Sequence, residues 1–415
     1  MYISLITTLI FIVTIYLMPF CVSLFRQNKN LIIVYFLIIS IYQIVAFINA
    51  FWFRTIGADM DANSFHVLAV NISEAGIFVF HSDASLYKNI LGFLYWITEP
   101  SHIIGEQLSI LSISISIIFF VKILDILELN YYHAGMVALY AGLPTMFMLG
   151  AITLREPLQL SLLIVSVYFG LKMRVSSENK LINFIFLLLF SFASGLFHKG
   201  IFVFAIILIF LFLVWDVSDI RDIKRKYTIN KYRLLTLALT PFVIFVFFYL
   251  ASNSDITGAE IYRKLLNLDF LESIANHRTY TPIGRASYNI AFDYSSFLML
   301  LYSSFLIYIH YLFSPFPWQI SSISDFYAMS EALLHLILIY YSIKLLIRKS
   351  AQKHKLLVLM LIFFFFISLI YSFGTTNYGT GVRHKMLSWW LIVLTGGPLL
   401  FESLSIFIKK VNSNV

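Results

Sequence analysis

Four short polar clusters interrupt an otherwise apolar chain of 415 residues, and their residue types could do chemistry. The first is Gly57-Ala58-Asp59-Met60-Asp61-Ala62-Asn63-Ser64-Phe65-His66, directly after an apolar run. If Asp59 caps a helix beginning there, Asp59, Asn63 and His66 share one helical face. A carboxylate and an imidazole so placed could move a proton; the plainer account is a helix cap and a solvated face. The second cluster is Leu154-Arg155-Glu156-Pro157, where Pro157 suits the first turn of a helix. Arg155 offers a permanently charged planar fork that suits phosphate, or else simply pairs with Glu156.

The third cluster is Phe197-His198-Lys199-Gly200, which joins two strongly apolar runs with almost no loop. A His-Lys pair there is hard to explain by solvation alone, although snorkelling of Lys199 to headgroups is the ordinary alternative. The fourth is Asn377-Tyr378-Gly379-Thr380-Gly381-Val382-Arg383-His384-Lys385. Glycines let backbone amides approach an anion, and Arg383, His384 and Lys385 add positive charge. This reads as an anion site, against the alternative of headgroup contact. Arg278 and Arg285 flank Tyr280 and Pro282 and could extend the same positive surface. No HExxH, cysteine cluster or phosphate-binding P-loop occurs, so neither a metal nor a cofactor is expected. Cys21 is the only cysteine and reads as membrane-helix filler.

The elements that carry these clusters must sit in lipid. Hydrophobic residues make up 60% of the chain and charged residues 12%, about half the charged share of a soluble globular domain. Backbone polar groups in hydrocarbon must be satisfied internally, so helices or a closed barrel are the options. The apolar segments are continuous rather than alternating, and many approach the ~20 residues of a spanning helix. The expected class is therefore all-α, a polytopic integral membrane protein of about 11–13 transmembrane helices in one domain over 1–415. The expected helices are 3–25, 31–53, 108–127, 134–150, 157–173, 181–197, 201–215, 234–252, 297–312, 327–347, 356–373 and 387–408. Residues 1–25 show no cleavage site and read as the first of these.

Loop charge sets the expected orientation. The stretch 54–106 carries two basic residues and six acids and belongs outside. Residues 216–233 hold six Lys or Arg, and 344–355 hold five with no acid, so both belong inside. Residues 253–296 then form a second long extracytoplasmic loop, with an amphipathic helix expected around 259–275. The crossings do not alternate correctly past this point. One is miscounted, and Ser314-Pro315-Phe316-Pro317-Trp318 is expected to be re-entrant or interfacial. The net charge of +8 follows from these basic loops and does not point to nucleic acid.

Acids, histidines and cations together at the outer membrane face suit chemistry on a lipid-linked pyrophosphate. Cations would hold the leaving group, and Asp59, Asp61, His66 or His198 would deprotonate an attacking hydroxyl. On Gly57 to His66, Leu154-Arg155-Glu156, His198-Lys199-Gly200, Pro315-Phe316-Pro317-Trp318 and Gly381 to Lys385, the chain resembles bacterial O-antigen and capsular polysaccharide polymerases of the Wzy type. It is also similar in pattern to GT-C membrane glycosyltransferases, which place an essential acid in the first outer loop, where Asp59 or Asp61 would match. They often carry a soluble C-terminal domain, and none is expected here. The resemblance implies polymerisation of undecaprenyl-pyrophosphate-linked oligosaccharide repeats at the outer face of the bacterial cytoplasmic membrane. It implies a chain-length regulator and a flippase as partners. A transporter or flippase of lipid-linked sugars and, less so, a membrane acyltransferase using His198 or His66 are the other classes; no internal repeat favours the transporter.

Overall fold

The computed structural model describes residues 2–79, 84–176, 178–215, 269–281, 284–288, 290–348 and 354–412, with the side chains of 60, 199 and 410–412 excepted. The expected helix 234–252, the basic run 224–226 and all of 253–268 lie outside the described residues. The described chain is helical, with a single isolated bridge, Ser287 to Asn377, and no strand.

In chain order the helices are α1 Tyr2–Leu17, α2 Lys29–Phe51, α3 Asn63–Ala75, α4 Ala84–Thr98, α5 His102–Ile126, α6 His133–Ala141, α7 Pro144–Gly150, α8 Glu156–Val175 and α9 Lys180–Gly195. They continue as α10 Lys199–Val214, α11 Asp269–Tyr280, α12 Phe297–Phe313, α13 Ile323–Ile347, α14 His354–Gly374 and α15 Tyr378–Asn412. Seven helical segments among the described residues are long and apolar enough to cross a membrane: Tyr2–Cys21, α2, α5, α8, α13, α14 and α15 to Lys409. Three shorter apolar helices, α9, Gly200–Val214 within α10, and α12, add to these. The chain is an all-α polytopic membrane protein.

Its apolar residues face outward as well as inward, as lipid permits. Leu5, Leu9, Leu37, Ile44, Leu181 and Leu189 are exposed, whereas Ser109, Ser112, Ser114 and Ser116 of α5 are buried. Small residues let helices approach closely where no water drives them together. At Gly396 of α15, a Cβ would stand 2.3 Å from the Leu338 carbonyl of α13. One residue earlier, Thr395 meets Ser342 across the same interface at 2.7 Å.

Two departures from the sequence reading bear on the site. The stretch 54–106 is not an open loop: α3 and α4 pack on each other and bury Phe65, Ala69, Tyr87, Leu91 and Tyr95. Their apolar residues are too few per helix for a span but enough for one buried face. The expected helix 134–150 breaks at Gly142-Leu143-Pro144, because Pro144 cannot continue a helix. Of the helix expected around 259–275, residues 259–268 lie outside the described residues and 269–275 are helical, as part of α11. Within the Ser314–Trp318 stretch, 314–316 is a non-helical connection and a 3₁₀ turn follows at Pro317–Gln319, with Trp318 exposed and stacked on Phe316.

Candidate functional site

Arg383 lies in the second turn of α15. The glycine-rich sequence before it is the first turn of that helix rather than a free loop. Gly381 is required by contact: a Cβ there would come within 2.5 Å of the Tyr288 hydroxyl. Tyr288 is held by backbone bonds on either side of the bridge, Tyr288 N to Thr376 O at 2.8 Å and Tyr378 N to Ala286 O at 2.9 Å. The segment 284–288 is thereby pinned beside the start of α15.

From α15 the Arg383 guanidinium reaches two carboxylates. It donates through Nη1 to Asp61, and its Nε lies 3.2 Å from Oε1 of Glu156, close enough for an ion pair though not aligned as a hydrogen bond. Asp61 sits in a single π turn, 58–62, that leads into α3; its side chain is 53% exposed, against 2% for Glu156. Glu156 opens α8, where a carboxylate favours the helix dipole. Its Oε1 also lies 3.6 Å from Nε of Arg155, and Arg155 Nη1 donates to the carbonyl of Phe197 at 3.1 Å. The buried Glu156 therefore stands between two guanidinia, and its Oε2 has no hydrogen-bond partner among the described residues.

Behind the arginines is an aromatic and imidazole layer. His198 caps α10, its Nδ1 accepting from the Gly200 amide at 3.0 Å, which puts its ring proton on Nε2 when neutral. The rings of Tyr371, His198 and His384 form a triangle, with Tyr371 5.0 Å from His198 and 4.6 Å from His384 and the two imidazoles 5.9 Å apart, edge to face. Thr375 donates its hydroxyl to the Tyr371 carbonyl at 2.7 Å, so at 2.9 Å it accepts from Nδ1 of His384. This network assigns the His384 tautomer and leaves Nε2 with the lone pair when the ring is neutral.

The structure thus gathers Asp61, Arg155, Glu156, His198, Arg383 and His384 from four separate segments of the chain. The remaining candidates go elsewhere. Asp59 is in the same π turn but makes no hydrogen bond or ion pair among the described residues, and the cap position of α3 falls on Ala62. His66 bonds Tyr95 at 2.8 Å in a neighbouring cluster, where burial first and the charge of Arg54 second push its imidazole down to about 4. Lys385 points away from Arg383, as a two-residue step of about 200° on a helix requires. Its Nζ donates to the Leu312 carbonyl at 3.4 Å. The Lys199 side chain is outside the described atoms.

Arg278 donates to the carbonyls of Ile290, Ser372 and Thr375, at 3.0, 3.3 and 2.9 Å. It closes the C-terminus of α14, and burial pushes its guanidinium down to about 10. Arg285 pairs with Asp325 and bonds Ser321 at 2.6 Å, fastening 284–288 to the start of α13.

A second buried polar group was missed by reading motifs. Glu331, His335 and Lys385 line a small cavity with Thr145, Met146 and Trp389. Glu331 accepts from the Thr145 amide at 3.0 Å and from its hydroxyl, while His335 Nε2 has no partner among the described residues. Its signal was in the sequence: Glu331 and His335, four residues apart inside an apolar run, are ionisable groups in a spanning helix. Tyr371 and Thr375 had no such signal. No cluster of three or more metal-ligating side chains occurs among the described residues. Comparison with family models, curated proteins and solved structures returns no match.

Proposed function

We propose that the protein is a membrane glycosyltransferase that polymerises lipid-pyrophosphate-linked oligosaccharide. Its substrate is read as undecaprenyl-pyrophosphate-linked repeats at the outer face of a bacterial cytoplasmic membrane, with a flippase and a chain-length regulator as partners. The observation that carries the reading is the pair of guanidinia, Arg155 and Arg383, on either side of Glu156, with Arg383 also bound to the exposed Asp61. Two fixed planar cations suit a diphosphate, which they would bind through paired N–H donors.

In this reading the diphosphate displaces Asp61 from Arg383. Glu156 keeps both guanidinia in position while they take the new charge. The released Asp61 carboxylate then accepts the proton of an acceptor hydroxyl. The hydroxyl oxygen bonds the anomeric carbon, the bond from that carbon to the diphosphate oxygen breaks, and the diphosphate leaves with the electron pair. Arg155 and Arg383 stabilise the charge that develops on it. His198 and His384 hold the rear wall, and the Nε2 lone pair of His384 is available to a bound sugar hydroxyl.

One observation favours a second reading, a transporter of lipid-linked oligosaccharide. The broken helix α6/α7 meets Glu331, His335 and Lys385 within spanning helices, and broken helices with such groups are common in transporters. Purified protein incubated with lipid-linked oligosaccharide separates the readings. Longer glycans support the polymerase. Relocation across vesicles without new glycosidic bonds supports the transporter and removes the polymerase, and acylated sugar removes both.

A further inference from the structure

Three residues after the end of α2, Arg54 stands exposed beside the first residue of α5, His102. One spanning helix ends and another begins at this point, so both residues lie at the same membrane boundary. The guanidinium contacts both ring nitrogens of His102, Nη2 to Nε2 at 2.8 Å and Nη1 to Nδ1 at 3.3 Å. A neutral imidazole has one lone pair, so only one contact can be a hydrogen bond; the other sets N–H against N–H. The ring of His66 stacks on His102 with centroids 3.5 Å apart. His66 in turn bonds the Tyr95 hydroxyl.

This group is rich in donors and short of acceptors. Among the described residues Arg54 forms no ion pair with a carboxylate. Glu106 is within electrostatic reach, but its Oε1 bonds Asn49 and the residue is fully buried. Ser101, which precedes His102, gives α5 no side-chain cap, so the first amides of that helix add to the excess of donors. The missing partner is an anion with several oxygens in a compact head. Trp52 and Phe53, the two residues before Arg54, are exposed by 80% and 64%, and Trp96, next to Tyr95, by 59%. Aromatic side chains at such positions lie at headgroup depth. An anion arriving there comes attached to a lipid.

We propose that Arg54, His66 and His102 bind the phosphate of a membrane lipid, at a site that shares no residue with the Arg383 cluster. The inference concerns binding, so it stands or falls separately from any transferase activity. An acidic phospholipid and a polyprenyl phosphate offer the same chemistry, and the test distinguishes them.

Detergent-purified protein is offered phosphatidylglycerol, polyprenyl phosphate, diacylglycerol or inorganic phosphate, and retained molecules are read by native mass spectrometry. One of the two phosphate lipids is expected to be retained, with diacylglycerol excluded. Loss of one charge-assisted bond in Arg54→Gln or His102→Gln should cut retention about tenfold. Arg54→Lys should fall between, because it keeps charge without the fork. Arg383→Ala should retain the lipid as before. Arg54 is exposed and hydrogen-bonds only His102 among the described residues; should Arg54→Gln elute as aggregate, His102→Gln and His66→Gln decide. The proposal is overturned if retention is unchanged in these variants, if it is lost only in Arg383→Ala, or if diacylglycerol or free phosphate binds as well as the lipids.

Discussion

Arg383 and Lys385 are two residues apart on one helix, yet they serve regions of opposite character. Arg383 is paired with one buried and one half-exposed carboxylate. Lys385 is closed in among spanning helices with Glu331, His335 and a carbonyl oxygen. A cation whose partner is exposed can exchange that partner for an incoming anion at modest cost. A cation sealed with its partner cannot, because separating buried charges leaves one of them uncompensated. Helical phase alone sorts the two, so three consecutive basic residues in a sequence need not form one site.

The comparison is broken most directly at Arg383. Arg383→Ala should reduce polymer formation at least 10²–10³-fold, as loss of a charge-stabilising donor does, with Arg383→Lys only partly restoring it. Normal polymer length on an extracted-glycan gel would take Arg383 out of the site. Asp61→Asn comes next, with an expected loss of 10²–10⁴-fold if Asp61 is the general base, whereas Asp59→Asn should remain near the parent rate. Equal losses in the two variants would show that the ion pair with Arg383 does not distinguish them.

On the closed side the effect should be in stability. Lys385→Met alone should cost about 1–3 kcal/mol by leaving the buried Leu312 carbonyl without its donor, and adding Glu331→Gln should recover part of it if the two charges act on each other across the cavity they share. Thermal unfolding in detergent reads this, and a double variant no better than the single one would deny the coupling. The smallest effect belongs to His66. Burial holds its imidazole near 4, below the usual 6.5, so it is neutral across the range from about 5.5 to 8. A ring NMR titration should find its midpoint well below 6, and His66→Gln should leave the shape of the activity–pH profile in that range unchanged. A lipid phosphate bound beside it would raise that midpoint, which ties this measurement to the Arg54 cluster.

The spans were legible in the sequence because continuous apolar runs permit one backbone solution in lipid. Phe297–Phe313 and His354–Gly374 fall almost where 297–312 and 356–373 were expected. What was not legible depended on tertiary neighbours. Nothing in Asp59-Met60-Asp61 says which acid meets Arg383, since a π turn rotates the two differently from a regular helix. Arg278 and Arg383 look alike as loop-proximal arginines, yet one closes a helix end and the other faces carboxylates. Thr375 matters only through the His384 ring that it orients, which sequence spacing does not reveal.

The break between α6 and α7 has a consequence for how the chain is made. These half-helices have 9 and 7 residues, about 24 Å of helix together and short of a full bilayer crossing of ~30 Å. The amide at the start of α7 is satisfied by Glu331, which is 186 residues further along the chain. During membrane insertion that partner does not yet exist, and an unsatisfied backbone group in hydrocarbon costs several kcal/mol. We therefore expect 133–150 to remain at the water boundary until α13 has been synthesised. A ribosome-arrested chain ending near residue 300 should label at a cysteine introduced at Thr145 with a water-soluble maleimide, and the full-length chain should not. Protection of that cysteine already in the shorter chain would show that the broken segment inserts without its distant partner.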